Sequence, residues 1–350
     1  MENLTFRKHP APIRLITVLL PVLFSLSTPM HAQTADAAEP IALSVTSGDV
    51  NAVAGNSHFI YQAFPARTAA AQSASRKIFS SPRPKMKAAA LPDAASTIPA
   101  VPSPGFYPAD LSFFGGPVLT GVQSHALFVN CPSTCWGNPV SFLQNLGASN
   151  FIHVVDQYIN VTTDNRYTAG ASASINQTIF GNTLGENDLA AIIHAGAAQL
   201  GTGYGHIYHV FLPKGVDTCF DQTNICYSPD NPASFVFCAY HGYVDFADIG
   251  HVIFSIEPFQ NVPGCAEIKP FPNGAKADST NSTLSHELIE AITDPDLNAW
   301  FSEASLDEGG AEIADECVIF GPDPISVLNG HTYKIQFEYS NVYHACAGVP

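Results

Sequence analysis

The chain has 350 residues, of which 46% are hydrophobic and only 13% charged. Disordered chains combine low hydrophobicity with high charge density, so a largely disordered protein is excluded, and the length allows one large domain or two small ones. A formal net charge of -16 argues against nucleic-acid binding, which uses clustered Lys and Arg against phosphate.

At the N-terminus, Arg7, Lys8 and Arg14 precede an apolar run from Leu15 to Leu26 that contains Pro21. A membrane-spanning helix needs roughly 20 apolar residues, so this run reads as a secretion signal and not an anchor. Small residues follow and place cleavage after Ala32 or Ala37. The expected organisation is a signal peptide over 1–32, a linker or pro-segment over 33–105 and a folded domain over 106–350. The middle zone is rich in Ala, Pro and Ser, and it is basic: Arg67, Arg76, Lys77, Arg83, Lys85 and Lys87 meet no acid between Asp49 and Asp93. Its one clear apolar patch, His58 to Phe64, suits a short strand. The folded zone is acidic, with five basic side chains against 25 acids. A basic pro-segment that docks on and masks an acidic domain is one reading of this asymmetry; an unstructured tether is the other.

In the folded zone the pattern predicts a strand over 125–130 and a helix from Asn138-Pro139 to Gly147, opened by an N-cap and proline at the first helical position. A helix over 151–158 follows, then one from Asn187-Asp188 to Gly201 with Leu189, Ile192, Ile193, Ala197 and Leu200 on one side. Strands are expected over 206–212, 234–240 and 251–256, a helix over 284–293 and a last strand over 332–339. The mixture implies an α/β or α+β class, a single layered mixed-sheet domain with packed helices. All eight cysteines lie between Cys131 and Cys346. An even number in an exported chain favours disulfides, and proximity pairs Cys131 with Cys135, Cys219 with Cys226, Cys238 with Cys265, and Cys317 with Cys346.

The segment from Ser282 to Pro295 carries the clearest chemistry. On a helix, Leu284, Leu288, Ala291 and Ile292 form the core stripe, while His286 and Glu290 lie one turn apart on the polar side with Glu287 on the flank. Zinc hydrolases grip a metal with two helical ligands at i and i+4, and the Glu after the first His acts as base on metal-bound water. The usual pattern is His-Glu-x-x-His; here Glu290 stands in place of the second histidine, so this is a zincin-like active helix with a mixed ligand set. Zinc is the expected cofactor, with calcium or manganese as alternatives. Downstream, Glu312 and Asp315 are candidates for third ligand and for the partner that orients His286, in either order. The bland alternative is a solvated helix face.

Three blocks carry a family likeness: Phe113 to Gly121, the cysteine-rich stretch from Cys219 to Cys265, and Thr293 to Phe301. With these, residues 110–350 resemble the Exordium or phosphate-induced protein family, whose members are secreted. The resemblance implies an extracellular protein linked in plants to growth or cell-wall signalling, without an established reaction. This chain departs from many plant members in having His286-Glu287 and the long basic linker.

Other constellations weigh less. His206 and His209 are expected on opposite faces of a strand, His241 and His251 as loop or core histidines, and His194 as packing. No Gly-x-Ser-x-Gly elbow and no phosphate-binding loop is present. Asp294 and Asp296 could take calcium but fit no EF-hand loop. Asn160, Asn176 and Asn281 open glycosylation sequons. The reading is a secreted, extracellular or periplasmic metallohydrolase without a membrane span, acting by preference on peptides, with Glu287 as base and His286, Glu290 and Glu312 or Asp315 on the metal. The alternative is a non-catalytic Exordium-like protein that binds a peptide or cell-wall ligand.

Overall fold

The computed structural model describes residues 39–53, 58–68, 70–71, 110–220, 225–303, 311–318 and 322–348. The expected signal segment and residues 72–105 of the expected linker lie outside the described residues. The centre of the fold is an eight-stranded mixed sheet. Its strands are β1 (Ile41–Val45), β2 (His58–Pro65), β3 (Val122–Val129), β4 (Tyr167–Ala169), β5 (Ala173–Gln177), β6 (His206–Phe211), β7 (Phe237–Phe246) and β8 (Gly250–Glu257). They run in the order β1-β5-β3-β6-β8-β7-β2, and β4 pairs with the start of β3. Neighbours from β1 to β8 are parallel, whereas β7 and β2 add antiparallel at the far edge. Parallel strands need covered faces, which fits the near-continuous burial of β3 and β6, polar residues included.

Five helices accompany the sheet among the described residues: α1 (Ser47–Val53), α2 (Pro139–Gly147), α3 (Asp156–Ile159), α4 (Glu186–Leu200) and α5 (Ala275–Thr293). Helix α4 is capped at Gly185, whose amide donates to Asp188, two residues earlier than the sequence cue at Asn187, and it ends at Gly201. Gly196 lets it close on the sheet, because a Cβ there would fall 2.8 Å from Leu127. The mixed layered class expected from the sequence is present.

The folded domain also reaches beyond its expected start. Strands β1 and β2 and helix α1 all come from the zone expected to be linker. Strand β2 pairs with β7 from Pro65 back to His58. Its Phe59 meets Phe254 edge-on and its Tyr61 stacks on Phe220, so the apolar patch is anchored by aromatic packing. Gly242 permits the close approach, since a Cβ there would lie 1.9 Å from the Ile60 carbonyl oxygen. Just after the strand, the Arg67 guanidinium pairs with Glu267 at 3.3 Å.

Two strand expectations shift. The strand expected at 234–240 runs over Phe237–Phe246. The strand expected at 332–339 is divided: His331–Lys334 forms a hairpin with Ile325–Leu328, and Glu338–Ser340 pairs with Ala345–Ala347. The hairpin turns at Asn329 and Gly330, both with positive φ, as a two-residue turn of matching twist requires. All four expected disulfides form. Among the described residues no helix is long and apolar enough to cross a membrane.

Candidate metal centre

Helix α5 starts at Ala275, nine residues before the expected start. The polar stretch from Ser279 to Thr283 hides this, because Ser, Thr and Asn compete with helical backbone bonding. Here the hydroxyls fold back into the helix: Ser279 Oγ donates to the Ala275 carbonyl and Thr283 Oγ1 to the Ser279 carbonyl. From Ala277 to Thr293 every residue is buried, polar and charged ones included. The polar face is therefore interior, not solvated. His286 and Glu287 are fully covered and Glu290 is 1% exposed.

His286 and Glu290 meet as the helical spacing requires, with Nε2 3.2 Å from Oε1. Asp315 joins them, its Oδ1 3.6 Å from His286 Nε2, while its backbone amide donates to Glu290 Oε1 at 3.1 Å. The segment around Asp315 is pinned by the Cys317–Cys346 disulfide and by the Tyr339 amide on the Ile313 carbonyl. His286 Nδ1 faces Gln336 Oε1 at 3.3 Å, and Gln336 Nε2 in turn donates to the Ala314 carbonyl. Gln336 thus orients the imidazole so that Nε2 points at the carboxylates, the role an outer partner plays for a ligand histidine. His286, Glu290 and Asp315 offer ligand atoms within 4.8 Å of one another.

The structure adds His241, which sequence pattern alone assigns to a loop or the core. It lies on β7, fully buried, and its Nδ1 sits 3.3 Å from Glu287 Oε2 and 3.4 Å from Glu290 Oε2. Its Nε2 is 3.3 Å from Glu312 Oε2. His241, Glu290 and Glu312 form a second set of ligand atoms within 4.8 Å. Glu312 therefore gathers at His241 and Asp315 at His286. Strand register explains the placement: Gln62, His241, Ser255 and His209 lie directly opposite one another across β2, β7, β8 and β6, so they form one polar row. In that row His209 Nδ1 bonds Ser255 Oγ at 2.8 Å, and Ser255 donates to Glu257 at 2.7 Å. The sequence signal for His241 is no more than a histidine inside an apolar strand.

Burial governs the electrostatics. It would raise Glu290, but the imidazoles of His286 and His241 more than offset this and hold the carboxyl at about 2. Burial would also lower both histidines; Glu287 and Glu290 instead lift His241 to about 9, and Glu290 lifts His286 well above its usual range. Burial, reinforced by Glu290, pushes Asp315 up to about 7 and raises Glu287 despite its histidine neighbours. A buried carboxylate set that charges both its histidines has the donor chemistry of a divalent-cation site, because ligand imidazoles exchange protons for metal.

Strand β2 lies on this cluster. Gln62 Nε2 donates to Asp315 Oδ2 at 3.1 Å, and the Phe64 ring packs on the His286 ring with centroids 4.2 Å apart. The remaining candidates sit elsewhere. His206 meets His125 while His209 meets Ser255, so they share no ligand. His251 pairs with Asp245 and Asp296, and His194 with Asp248. Asp294 accepts backbone amides of Asn298 and Ala299 and so closes the turn after α5. Comparisons with protein families, curated proteins and solved structures gave no match to this chain.

Proposed function

We propose that the protein is a secreted, zincin-like metal-dependent hydrolase acting on polypeptides. The observation that carries this reading is the convergence of His286 and Glu290 from one turn of α5 with Asp315 from the disulfide-pinned segment, with Gln336 behind the imidazole. A bound divalent ion, zinc by preference for a set containing histidine, would supply a Lewis acid and an activated water. Glu287 is the base: its Oε2 faces His241 and its Oε1, buried without a hydrogen-bond partner, is left to take a proton. Its raised pKa suits that role, because a base works best when poised near the operating pH.

Polypeptide is favoured as substrate because an extended chain, β2, already lies antiparallel along β7 with alternate side chains, Gln62 and Phe64, over Asp315 and His286. The second reading, a non-catalytic extracellular protein of Exordium type, is favoured by closure of the cluster, whose histidines and glutamates are at most 1% exposed. Elemental analysis of the purified full chain beside His286→Ala tests the metal. Retained divalent metal that is lost in the variant supports the hydrolase, and metal-free protein of both kinds, equally folded, removes it. Peptide turnover by the metal-loaded chain then separates the two readings.

A further inference from the structure

We propose that the cluster holds two divalent cations and not one, with Glu290 as the bridging carboxylate, His286 and Asp315 serving the first and His241 and Glu312 the second. This rests on the metal-dependent function proposed above and adds a second site to it. Three observations carry it. The first is that both histidines are presented in the same way: each Nδ1 is held at 3.3 Å by a side-chain oxygen, Gln336 Oε1 for His286 and Glu287 Oε2 for His241. Each Nε2 is left fully buried, close to carboxylate oxygens yet without a hydrogen-bond partner. A buried imidazole nitrogen without such a partner is costly, and the same arrangement at two histidines points to two ligands.

The second observation is the division of Glu290. Oε1 faces His286 Nε2 and the Asp315 amide, while Oε2 lies 3.4 Å from His241 Nδ1, on the side of the ring that Glu287 also meets, and Glu290 belongs to the ligand set of His241 and Glu312 as well. A carboxylate with one oxygen on each ligand set is placed to span a pair of ions roughly 3.5–4 Å apart, the spacing of two-metal hydrolytic sites. The third is proximity: His286, Glu290 and Asp315 offer ligand atoms within 4.8 Å of one another, His241, Glu290 and Glu312 do so as well, and Glu290 alone belongs to both sets.

The test is metal titration of the full chain, stripped with chelator, reloaded with Zn²⁺ and desalted, with circular dichroism to confirm folding. About two equivalents are expected, falling to about one in His241→Ala and separately to about one in His286→Ala. Glu290→Gln should weaken both by at least about tenfold, as loss of a shared ligand requires. Glu312→Gln should likewise lose only the second ion and replaces His241→Ala if that variant does not fold. Reloading with Mn²⁺ should give an exchange-coupled spin-resonance spectrum in the parent chain and an uncoupled one in Glu312→Gln. One equivalent in the parent, lost in His286→Ala and kept in His241→Ala and Glu312→Gln, overturns the second site while leaving the proposed function intact. One equivalent lost in every variant also overturns it, in favour of a single shared ion. No bound metal overturns both.

Discussion

Helices α4 and α5 are the two long helices among the described residues, and they bury opposite kinds of surface. In α4 the buried residues are Leu189, Ala190, Ala191, Ile192, Ile193, Gly196 and Ala197, and the acids of its first turn lie at the N-terminus, where the helix dipole favours them. In α5 burial takes in Asp278, Asn281, His286, Glu287 and Glu290 along with its leucines and isoleucines. Apolar burial stabilises a helix whatever it touches, whereas buried charge costs free energy unless something specific compensates it. A domain that already has one helix like α4 gains no stability by filling a second with carboxylates. On the function proposed above, α5 is the helix that carries the chemistry, whereas α4 packs on the sheet with an apolar face.

The comparison is most sharply broken by exchanging the consequences. Glu287→Gln, nearly isosteric, should reduce peptide turnover by about 10²–10⁴-fold while leaving metal content and melting temperature close to the parent. Unchanged turnover would place Glu287 among the structural groups and remove the base from the mechanism. In α4, Leu189→Ala or Ile192→Ala should cost about 2–5 kcal/mol in denaturant unfolding with metal stoichiometry unchanged. Loss of metal at full stability in those variants would mean that α4 also belongs to the site.

A smaller effect is expected behind the ligands. Gln336→Ala frees the His286 ring and should weaken metal binding by about 10–100-fold in competition with a chromophoric chelator. An unaltered affinity would show that packing against Phe64 suffices to orient the ring. The mildest expectation concerns the polar row. Burial holds His209 neutral in the fold, its pKa lowered from the ordinary 6.5 to about 3. The unfolded chain takes up that proton first as pH falls, so the stability associated with neutral His209 is fully present above about pH 6.5 and is lost progressively toward pH 3. The slope should be at most about 1.4 kcal/mol per pH unit, and His209→Asn should flatten the acid limb of unfolding by one proton. An identical limb in the variant would assign acid sensitivity to the carboxylates alone.

All of the candidate metal cluster except His241 is legible in the sequence. His286 and Glu290 share a face because a helix repeats every 3.6 residues, and Glu312 and Asp315 stand out as acids beyond that helix. Their assignment to different histidines is not legible, because it depends on how the 311–318 segment is pinned by Cys317–Cys346. His241 carries no local signal, since its partners arrive across a sheet register and from a helix 46 residues on. Strand β2 is visible as an apolar patch, but its basic, Ala- and Pro-rich surroundings argue for a tether.

The chain alone therefore sets what acts within a turn or two: the glycine helix stops, the apolar strands, the neighbouring cysteine pairs and the i, i+4 pairing on α5. These depend on backbone sterics and short-range hydrogen bonds, which local residues control. Tertiary packing decides that the polar face of α5 is interior, that β2 lies on His286 and Asp315, and that two histidines from distant elements aim at one group of carboxylates. Those outcomes follow from which surfaces exclude water together, and that is a property of the assembled layers.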